Sequence, residues 1–297
     1  PEEKMQSNLP EILPPTMIGG QEFIWGARTY VMGIVNVTPD SFSGDGTLAK
    51  PSEIQFAVDQ ALRMEDEGAD IVDIGGESTR PKSVYPDANP VGADDEIARV
   101  IPVIQALKGR LSVPISIDTN KAPVADQAIE SGAVIINDVS MLGDSMMANI
   151  AIKKNVPIVL SHIRKTGHSG SVVDDVLDDL RKAIDVLSIN GVTSSNVIVD
   201  PGIGFAKTAK ESLQLVRNIS RIRSKLSKPV LVGSSRKSFI AAITGEPIED
   251  RRFGTAATVA FSIQGRVDIV RVHDVREMVN VAKMSDSLTR KASHGGA

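Results

Sequence analysis

Eight short apolar segments of this chain each run directly into a residue that seldom belongs in a protein core. The residues that end or follow them are Asn36, Gly75, Asp118, Asn137, His162, Asp200, Gly233 and His273. Helical stretches separate the segments, and this alternation predicts parallel strands linked by helices. A (β/α)₈ TIM barrel places its active site at the carboxyl ends of such strands. The sequence therefore predicts an α/β fold of this kind, and a doubly wound open sheet is the second choice.

The chain is predicted to form one domain with a tail at each end. Residues 1–15 are polar and contain four prolines, which is typical of a flexible tail, and 292–297 form the second tail. Thr16–Ile18 and Gln21–Ile24 flank two glycines, a pattern that predicts a hairpin at the amino end of the barrel. Residues 16–291 are predicted to be a single barrel domain, because such barrels need about 250 residues.

The first predicted helix illustrates the local signals. Ser52 and Gln55 fit a capping box, and Gly68 fits a left-handed helix end. The other predicted helices are 94–108, 122–131, 146–154, 172–190, 210–226, 254–264 and 275–291. Long connections follow the first two strands, 38–51 and 77–93, and loops of such length are usually functional.

Composition excludes several classes of function. Aromatic residues make up 3% of the chain and the net charge is −4, which disfavours nucleic-acid binding. The chain has no cysteine, so thiolate metal sites and cysteine nucleophiles are excluded. No apolar stretch is long enough for a membrane helix, and residues 1–4 lack the apolar region of a signal peptide. A cytoplasmic location is expected.

Four of the polar residues suggest a heterocycle site. Asp118 and Asp200 offer carboxylates that accept paired N–H bonds, as a 2-aminopyrimidinone edge presents. Asn137 both donates and accepts, and Lys237 donates to a carbonyl or ring nitrogen. The set matches a fused pyrimidinone better than a sugar. The simpler interpretation of either aspartate alone is that it caps the helix that follows.

A second set suggests an anion site. Arg271 and His273 alternate on one strand and so point to the same side. With Asn36 expected across the barrel, they are predicted to hold phosphate or diphosphate, and Asn36 is a candidate Mg²⁺ ligand. Alternatively, Arg271 forms a surface ion pair and His273 is a satisfied rim histidine. Zinc at His162 and His168 is not expected, because no third ligand is visible.

The motifs together resemble the dihydropteroate synthase family over roughly residues 20–285, in the order that the family has them. The matching segments are Val35–Ser43 (VNVTPDSFS), Asp73–Pro81 (DIGGESTRP), Ser116–Thr119 (SIDT), Ile136–Asp138 (IND), Asp200–Phe205 (DPGIGF), Ser235–Ser238 (SRKS) and Arg271–Val275 (RVHDV). The family joins 6-hydroxymethyl-7,8-dihydropterin diphosphate to p-aminobenzoate and releases diphosphate in folate synthesis.

The resemblance implies a role for each candidate residue. Asp118, Asn137, Asp200 and Lys237 would hold the pterin, and Thr79, Arg271 and His273 would contact the diphosphate region. Asn36 would bind Mg²⁺, Arg80 and Ser238 would lie near p-aminobenzoate, and Phe205 would belong to the substrate site. Lys237, Arg271 and His273 would be the catalytic residues. Thr38–Gly46 and Ser78–Lys82 would be mobile loops. A homodimer and sensitivity to sulfonamides are also implied.

Two segments depart from the pattern of the family. Ser43–Gly46 changes the usual order of the first loop, which puts the position of Asp45 in doubt. Ser161–Arg164 stands where Met-His is common, and the following Gly-x-Pro pattern is absent. Two alternatives remain open: a pterin-binding methyltransferase that acts on methyltetrahydrofolate, and a barrel that binds a pterin without catalysis. The loop after the first strand and the Ser-Arg-Lys-Ser motif favour the synthase, and the predicted anion site argues against a non-enzymatic role.

Overall fold

The computed structural model describes residues 13–37, 51–77, 91–164, 167 and 170–290. The strands are β1 Thr16–Ile18, β2 Gln21–Phe23, β3 Tyr30–Asn36, β4 Ile71–Gly75, β5 Ile115–Asp118, β6 Ile135–Asp138, β7 Ile158–Ser161, β8 Val197–Asp200, β9 Leu231–Val232 and β10 Ile269–Val272. The α-helices are α1 Pro51–Asp66, α2 Ala93–Leu107, α3 Ala122–Ser131, α4 Met147–Lys154, α5 Val172–Ile189, α6 Ala209–Arg217, α7 Ile219–Leu226, α8 Ser238–Thr244, α9 Arg252–Gln264 and α10 Val275–Thr289. Short 3₁₀ turns cover Ser194–Asn196 and Ile248–Asp250.

Eight of the strands form one parallel sheet that closes on itself. Their order is β8-β7-β6-β5-β4-β3-β10-β9. A parallel bridge between Val199 and Val230 joins the two ends of this series, and the Val199 amide donates to the Pro229 carbonyl over 3.0 Å. The predicted (β/α)₈ barrel is confirmed, and the open-sheet alternative is wrong.

Side-chain alternation along the strands gives the barrel an apolar interior near the amino end. Met32, Ile71, Ile135, Val159, Ile198, Leu231 and Ile269 form one buried cluster inside it. Ile18, Phe23 and Trp25, from and just after the β1–β2 hairpin, join the same cluster. The hairpin therefore closes the amino end, as predicted. Leu13, within the predicted tail, is buried in this cluster as well.

The predicted strands agree with the observed ones to within a residue or two, and the helices contain three differences. The capping box is wrong, because α1 already begins at Pro51 and Ser52 lies inside the first turn. The predicted helix 210–226 is interrupted at Asn218. The seven-residue helix α8 was not predicted. The left-handed end at Gly68 is confirmed by its φ of +99°.

Parts of the prediction fall outside the described residues. These are most of the amino-terminal tail, the loops 38–46 and 78–82 with Asp45, and the carboxyl-terminal tail. None of the helices in the described ranges combines the length and the hydrophobicity needed to cross a bilayer.

Candidate active site

A polar layer lies two residues further along the strands than the apolar layer. Because side chains alternate in a strand, the residue two positions after each interior apolar residue also points inward. This rule places Asp73, Asn137, Ser161, Asp200 and Arg271 inside the barrel, two positions after Ile71, Ile135, Val159, Ile198 and Ile269. The interior therefore changes from apolar to charged towards its carboxyl end.

Arg271 lies between two carboxylates at the centre of this layer. Its Nε donates to Asp73 Oδ2 over 2.6 Å, and its Nη2 donates to Asp118 Oδ2 over 2.5 Å. Asp73 Oδ2 also accepts from the Asn137 amide over 2.9 Å. These hydrogen bonds join the four side chains into one connected group. Asp118 and Asn137 are also register partners on the neighbouring strands β5 and β6.

Asp73 is a site residue that the sequence analysis missed. It is completely buried, and its second oxygen, Oδ1, has no hydrogen-bond partner among the described residues. It lies inside the segment Ile71–Ile74, which the sequence analysis treated as an apolar run. Burying an acidic side chain without partners is costly, so an aspartate within an apolar strand indicates a carboxylate that has bonding partners or a function. This signal was available in the sequence.

Burial sets the protonation behaviour of Asp118. Desolvation raises the pKa of Asp118 to about 7, although the neighbouring Arg271 cation opposes the shift, and Asp73 adds to it. Arg271 is itself desolvated, yet Asp73 and Asp118 raise the pKa of its guanidinium above the ordinary value. The arginine therefore stays charged, and Asp118 gains or loses a proton near neutral pH.

Asp200 ends β8 and is held by its own turn. Its Oδ1 accepts from the Gly202 amide over 2.7 Å, and Ser161 Oγ donates to Oδ2 over 3.4 Å. Desolvation raises the pKa of Asp200, and the nearby Lys237 ammonium opposes that shift. The interpretation of Asp118 and Asp200 as helix caps is wrong, because Lys121 and Thr208 occupy the N-cap positions of α3 and α6.

Lys237 reaches the same space from the turn after β9. Its ammonium donates to the Ile203 carbonyl and lies 3.9 Å from the centroid of the Phe205 ring. Desolvation lowers the pKa of Lys237 to about 8, and Asp200 opposes this shift while Arg271 adds to it. Arg236, the preceding residue in the chain, is bound to Asp274 instead.

The three residues predicted to form an anion site, Asn36, Arg271 and His273, are arranged differently from the prediction. Asn36 does not lie across the barrel from Arg271 and His273, because its strand β3 is the immediate neighbour of β10. His273 Nδ1 lies 3.0 Å from Ser235 Oγ, and the His273 amide donates to the same oxygen over 3.2 Å. Asn36 is partly buried at the carboxyl end of β3. These residues share one edge of the mouth.

Three buried side-chain oxygens of the site have no hydrogen-bond partner among the described residues. They are Asn137 Oδ1, Ser116 Oγ and Asp73 Oδ1. Buried polar atoms without a partner are rare in folded proteins, and they mark places where a ligand or water completes the bonding. Asp73 Oδ1 and Asn137 Oδ1 only accept, so the arrangement suits a ligand that presents hydrogen-bond donors to them.

The remaining candidates fall outside this cluster. Ser238 is exposed at the start of α8. Thr79, Arg80 and His168 lie outside the described residues. His162 is completely buried between Asp179 and Lys207. Among the described residues, no group of three or more histidine, aspartate or glutamate side chains has the arrangement of a metal site.

Comparisons with known proteins agree with this geometry. Residues 32–273 match the family model described as pterin binding enzyme. The chain is 46% identical to a dihydropteroate synthase of Clostridium beijerinckii over 276 residues, which cover 92% of this chain and 99% of the relative. It is also 46% identical to the Bacillus subtilis dihydropteroate synthase over 271 residues, 90% of this chain and 92% of the relative.

Two solved structures have the same fold. A dihydropteroate synthase from Clostridium difficile, determined in the presence of pteroic acid, is 39% identical with a TM-score of 0.84 and covers 90% of this chain and 99% of its own. The Xanthomonas albilineans dihydropteroate synthase with 4-aminobenzoic acid is 37% identical with a TM-score of 0.85 and covers 94% and 99%.

Proposed function

We propose that this chain, which belongs to the dihydropteroate synthase family of pterin-binding enzymes, condenses 6-hydroxymethyl-7,8-dihydropterin diphosphate with p-aminobenzoate. The products are 7,8-dihydropteroate and diphosphate, which makes the chain a transferase of folate biosynthesis. One observation carries the proposal: the barrel mouth holds unpaired buried acceptors beside Asp118, Asn137 and Asp200. A 2-aminopyrimidinone ring supplies the N–H groups that these acceptors lack.

The pterin is assigned to the polar layer. The carboxylates of Asp118 and Asp200 accept N–H bonds from its amino-pyrimidinone edge, and Asn137 Oδ1 accepts a further one. Lys237 donates to the ring carbonyl or a ring nitrogen. Burial strengthens each of these bonds, because water does not compete for the same groups.

The leaving diphosphate is assigned to the β10 edge. A guanidinium has five N–H donors, of which Asp73 and Asp118 take two, so Arg271 retains donors for an anion. With His273 it stabilises the charge that develops as the C–O bond breaks. The p-aminobenzoate nitrogen then forms the new C–N bond to the pterin methylene group and loses a proton. Thr79, Arg80 and Ser238 are assigned to the substrates on the basis of the family motifs.

Asn36 is the residue that would hold Mg²⁺. An amide oxygen at the carboxyl end of β3 is a suitable ligand for this hard cation, which takes few protein oxygens and keeps water and substrate phosphates. When bound, Mg²⁺ would neutralise charge on the diphosphate. Since no group of three or more histidine, aspartate or glutamate side chains among the described residues could hold a metal, the other ligands would be the substrate diphosphate and water.

Lys237 is assigned an electrostatic role and not that of a Schiff-base nucleophile. With a pKa of about 8, its amine is mostly protonated at neutral pH and therefore donates hydrogen bonds. The proposed reaction also offers no aldehyde or ketone for imine formation, because the ring carbonyl of the pterin is an amide.

The proposal also includes a cytoplasmic location, a single domain over residues 16–291 and a homodimer. Exposed apolar side chains support the dimer: Phe253 and Phe261 recur along α9, and Met284 and Leu288 recur along the adjacent α10. Sensitivity to sulfonamides is part of the proposal. A crystal structure of the Yersinia pestis relative contains a sulfonamide drug complex.

A turnover assay tests the function. Release of diphosphate that requires pterin diphosphate, p-aminobenzoate and Mg²⁺ is the expected result. Methyl transfer from methyltetrahydrofolate to a corrinoid acceptor, without diphosphate release, would instead establish the methyltransferase. Pterin binding without either reaction would establish the non-enzymatic alternative.

A further inference from the structure

Lys207 places a second, partly buried ammonium beside the pterin site, and the proposed reaction does not use this ammonium. Its Nζ donates to the carbonyl oxygens of Gly202 over 2.9 Å, Phe205 over 3.2 Å and His162 over 3.3 Å. It also lies 3.0 Å from His162 Nδ1. An ammonium has three protons, so these four acceptors use all of them. Lys207 therefore has no proton left for a substrate.

The imidazole of His162 links this lysine to helix α5. An ammonium only donates, so His162 Nδ1 accepts, and the ring proton resides on Nε2. That nitrogen lies 3.2 Å from Asp179 Oδ2 on α5. The carboxylate is fixed in turn by Arg164, whose Nε donates to the same oxygen over 2.8 Å. Arg164, within one of the two segments that depart from the family pattern, thus completes the chain of contacts.

Two of the three carbonyls that bind Lys207, those of Gly202 and Phe205, belong to a tight turn, residues 200–207, here called the Asp200 turn. The third, that of His162, lies just after β7. Gly202 has a φ of +68°, and a Cβ built on it would lie 1.9 Å from the His162 carbonyl oxygen. Gly204 has a φ of +79°, and its Cβ would lie 2.8 Å from Lys237 Cδ. Both positions favour glycine, because both have a positive φ and because an added Cβ would lie too close to a neighbour. The backbone of the turn therefore packs directly against the residue after β7 and against the Lys237 side chain.

The other side of the same turn forms part of the pterin site. The Gly202 amide donates to Asp200 Oδ1, and the Ile203 carbonyl accepts from Lys237. The Phe205 ring packs against the Lys237 ammonium. The Gly202 amide and the Phe205 ring belong to residues whose carbonyls accept from Lys207, and Ile203 is the residue that follows Gly202. A displacement of the turn would therefore move Asp200, Lys237 and their partners together.

We propose that Lys207 is a positioning residue, which fixes the Asp200 turn and thereby sets the pterin-binding geometry of Asp200 and Lys237. His162 and Asp179 support it from the outer side of the barrel. The inference rests on the proposed pterin site and deepens it. The positive charge of Lys207 also favours the ionised, accepting form of the Asp200 carboxylate.

The test compares two lysines in one barrel. Lys207→Met removes the three carbonyl contacts and keeps the length of the side chain. Lys228→Met is the matched control, because Lys228 is also a buried lysine whose ammonium donates to a carbonyl, that of Ser194, over 2.8 Å. Lys228 lies before β9, at the amino end of the barrel and far from Asp200. Both variants should lose some thermal stability, since both remove hydrogen bonds that a charged donor makes to the chain.

Only Lys207→Met should lose pterin affinity. We expect its dissociation constant for 6-hydroxymethylpterin, measured by calorimetry, to rise about tenfold or more, the usual consequence of losing hydrogen bonds from a charged donor. In steady state, the KM for pterin diphosphate should rise by a similar factor, while the KM for p-aminobenzoate changes by less than about twofold. Lys228→Met should bind and turn over like the wild type.

Asp179→Asn provides a second arm if Lys207→Met does not fold. It weakens the support of His162 at a partly exposed helix position, and a smaller loss of pterin affinity is expected. Wild-type affinity in both folded variants, or equal losses in Lys207→Met and Lys228→Met, would overturn the positioning role. Failure of wild-type protein to bind the pterin would instead overturn the proposed function.

Discussion

At the scale of single residues, the site is organised by Arg271 and its two carboxylates. Asp73 Oδ2 accepts from both Arg271 and Asn137. This one buried oxygen therefore fixes the positions of two side chains of the proposed substrate site. Asp118 accepts from Nη2 of the same guanidinium, and its pKa of about 7 places its titration near neutral pH. The sequence motifs indicated Asp118 and Asn137 as site residues. Asp73 was missed because its chemistry depends on which side of the barrel wall it faces.

Asp73→Asn should weaken pterin binding through Arg271 and Asn137, both of which donate to Asp73. The amide cannot compensate the charge of Arg271, so we expect the guanidinium to shift towards Asp118 and to compete with the pterin for that carboxylate. Loss of a charged hydrogen bond of this kind costs about 1.5–3 kcal/mol. The measurement is the KM for pterin diphosphate, which should rise at least about tenfold.

Asp70→Asn is the control for that experiment. Asp70 lies just before the same strand and also binds an arginine through both oxygens, Arg28 over 2.9 and 2.5 Å, but at the amino end of the barrel. Its replacement should leave the KM unchanged. Equal kinetic effects in both variants would mean that Asp73 acts only through general stability.

Asp200→Asn should impair pterin binding directly. The carboxylate oxygen that faces Ser161 is the one available to a ligand N–H, because the other accepts from the Gly202 amide. An amide would place a donor where the ligand also donates. Calorimetry with 6-hydroxymethylpterin should show a loss of about tenfold or more. Unchanged affinity would remove Asp200 from the site.

Pterin affinity should follow a bell-shaped pH profile. Asp118 accepts with both oxygens, and most strongly, when it is ionised, so affinity should rise as the pH passes its pKa of about 7. Lys237 donates to a carbonyl only when protonated, so affinity should fall as the pH passes its pKa of about 8. Because the two groups interact, the limbs belong to the pair. 6-Hydroxymethylpterin carries no phosphate, and the ionisation of its own ring N–H is measured separately and subtracted from the profile.

Lys237→Arg provides the check on the alkaline limb. A guanidinium stays protonated throughout this range, so the affinity of the variant, whatever its absolute value, should no longer fall above pH 8. Persistence of the alkaline limb in Lys237→Arg would assign that limb to another group, of which Lys207, with a pKa also lowered to about 8, is the nearest.

At the scale of secondary-structure elements, local sequence signals predicted the barrel well and its irregular segments poorly. The strands are apolar on both faces and bounded by polar residues, which gives them a clear pattern. The break at Asn218 is invisible in the apolar periodicity, because residues on both sides continue to face the core. Helix α8 was missed because seven residues carry too little periodicity. The geometry of the site depends on these short segments.

The turn between β9 and α8 is one such segment, and it is held under backbone strain. Arg236 adopts a left-handed conformation with a φ of +57°, which costs a non-glycine residue roughly 1 kcal/mol. Its side chain forms a bidentate pair with Asp274, over 3.0 and 2.6 Å, at the end of the segment that follows β10. This pair joins the turn that carries Lys237 to the segment that carries His273.

Asp274→Asn should therefore reduce catalysis by loosening one element against another. We expect kcat/KM to fall about tenfold, since a charged bidentate pair contributes at least about 1.5 kcal/mol to the fixed geometry. Asp268→Asn is the control. Asp268 binds Arg223 through both oxygens just before the amino end of β10, over 2.9 and 3.1 Å. That variant should lose thermal stability and keep its kcat/KM.

At the scale of the whole molecule, the adjacent helices α9 and α10 carry four of the eleven exposed large apolar side chains among the described residues. Phe253 is 87% exposed and Leu288 is 74% exposed, on helices that pack against each other at the end of the barrel series. Such a surface is unfavourable in water and typical of a contact between copies of a chain. Two-fold symmetry would place the same patch on both subunits, so that each apolar residue is buried twice in the dimer.

Charges introduced into this surface should separate the subunits. Phe261→Glu or Leu288→Glu would place two carboxylates near the symmetry axis, where desolvation and repulsion act together, and sedimentation should show a monomer. Ile189→Glu is the matched control, because Ile189 is 85% exposed at the end of α5, on a helix outside the patch. It should leave the dimer intact. A wild-type protein that sediments as a monomer at micromolar concentration would contradict the proposed homodimer, and dissociation by Ile189→Glu alone would move the interface to α5. The polar layer and the Asp200 turn are each built within one described chain, so a folded monomeric variant should keep its affinity for 6-hydroxymethylpterin within about twofold of wild type.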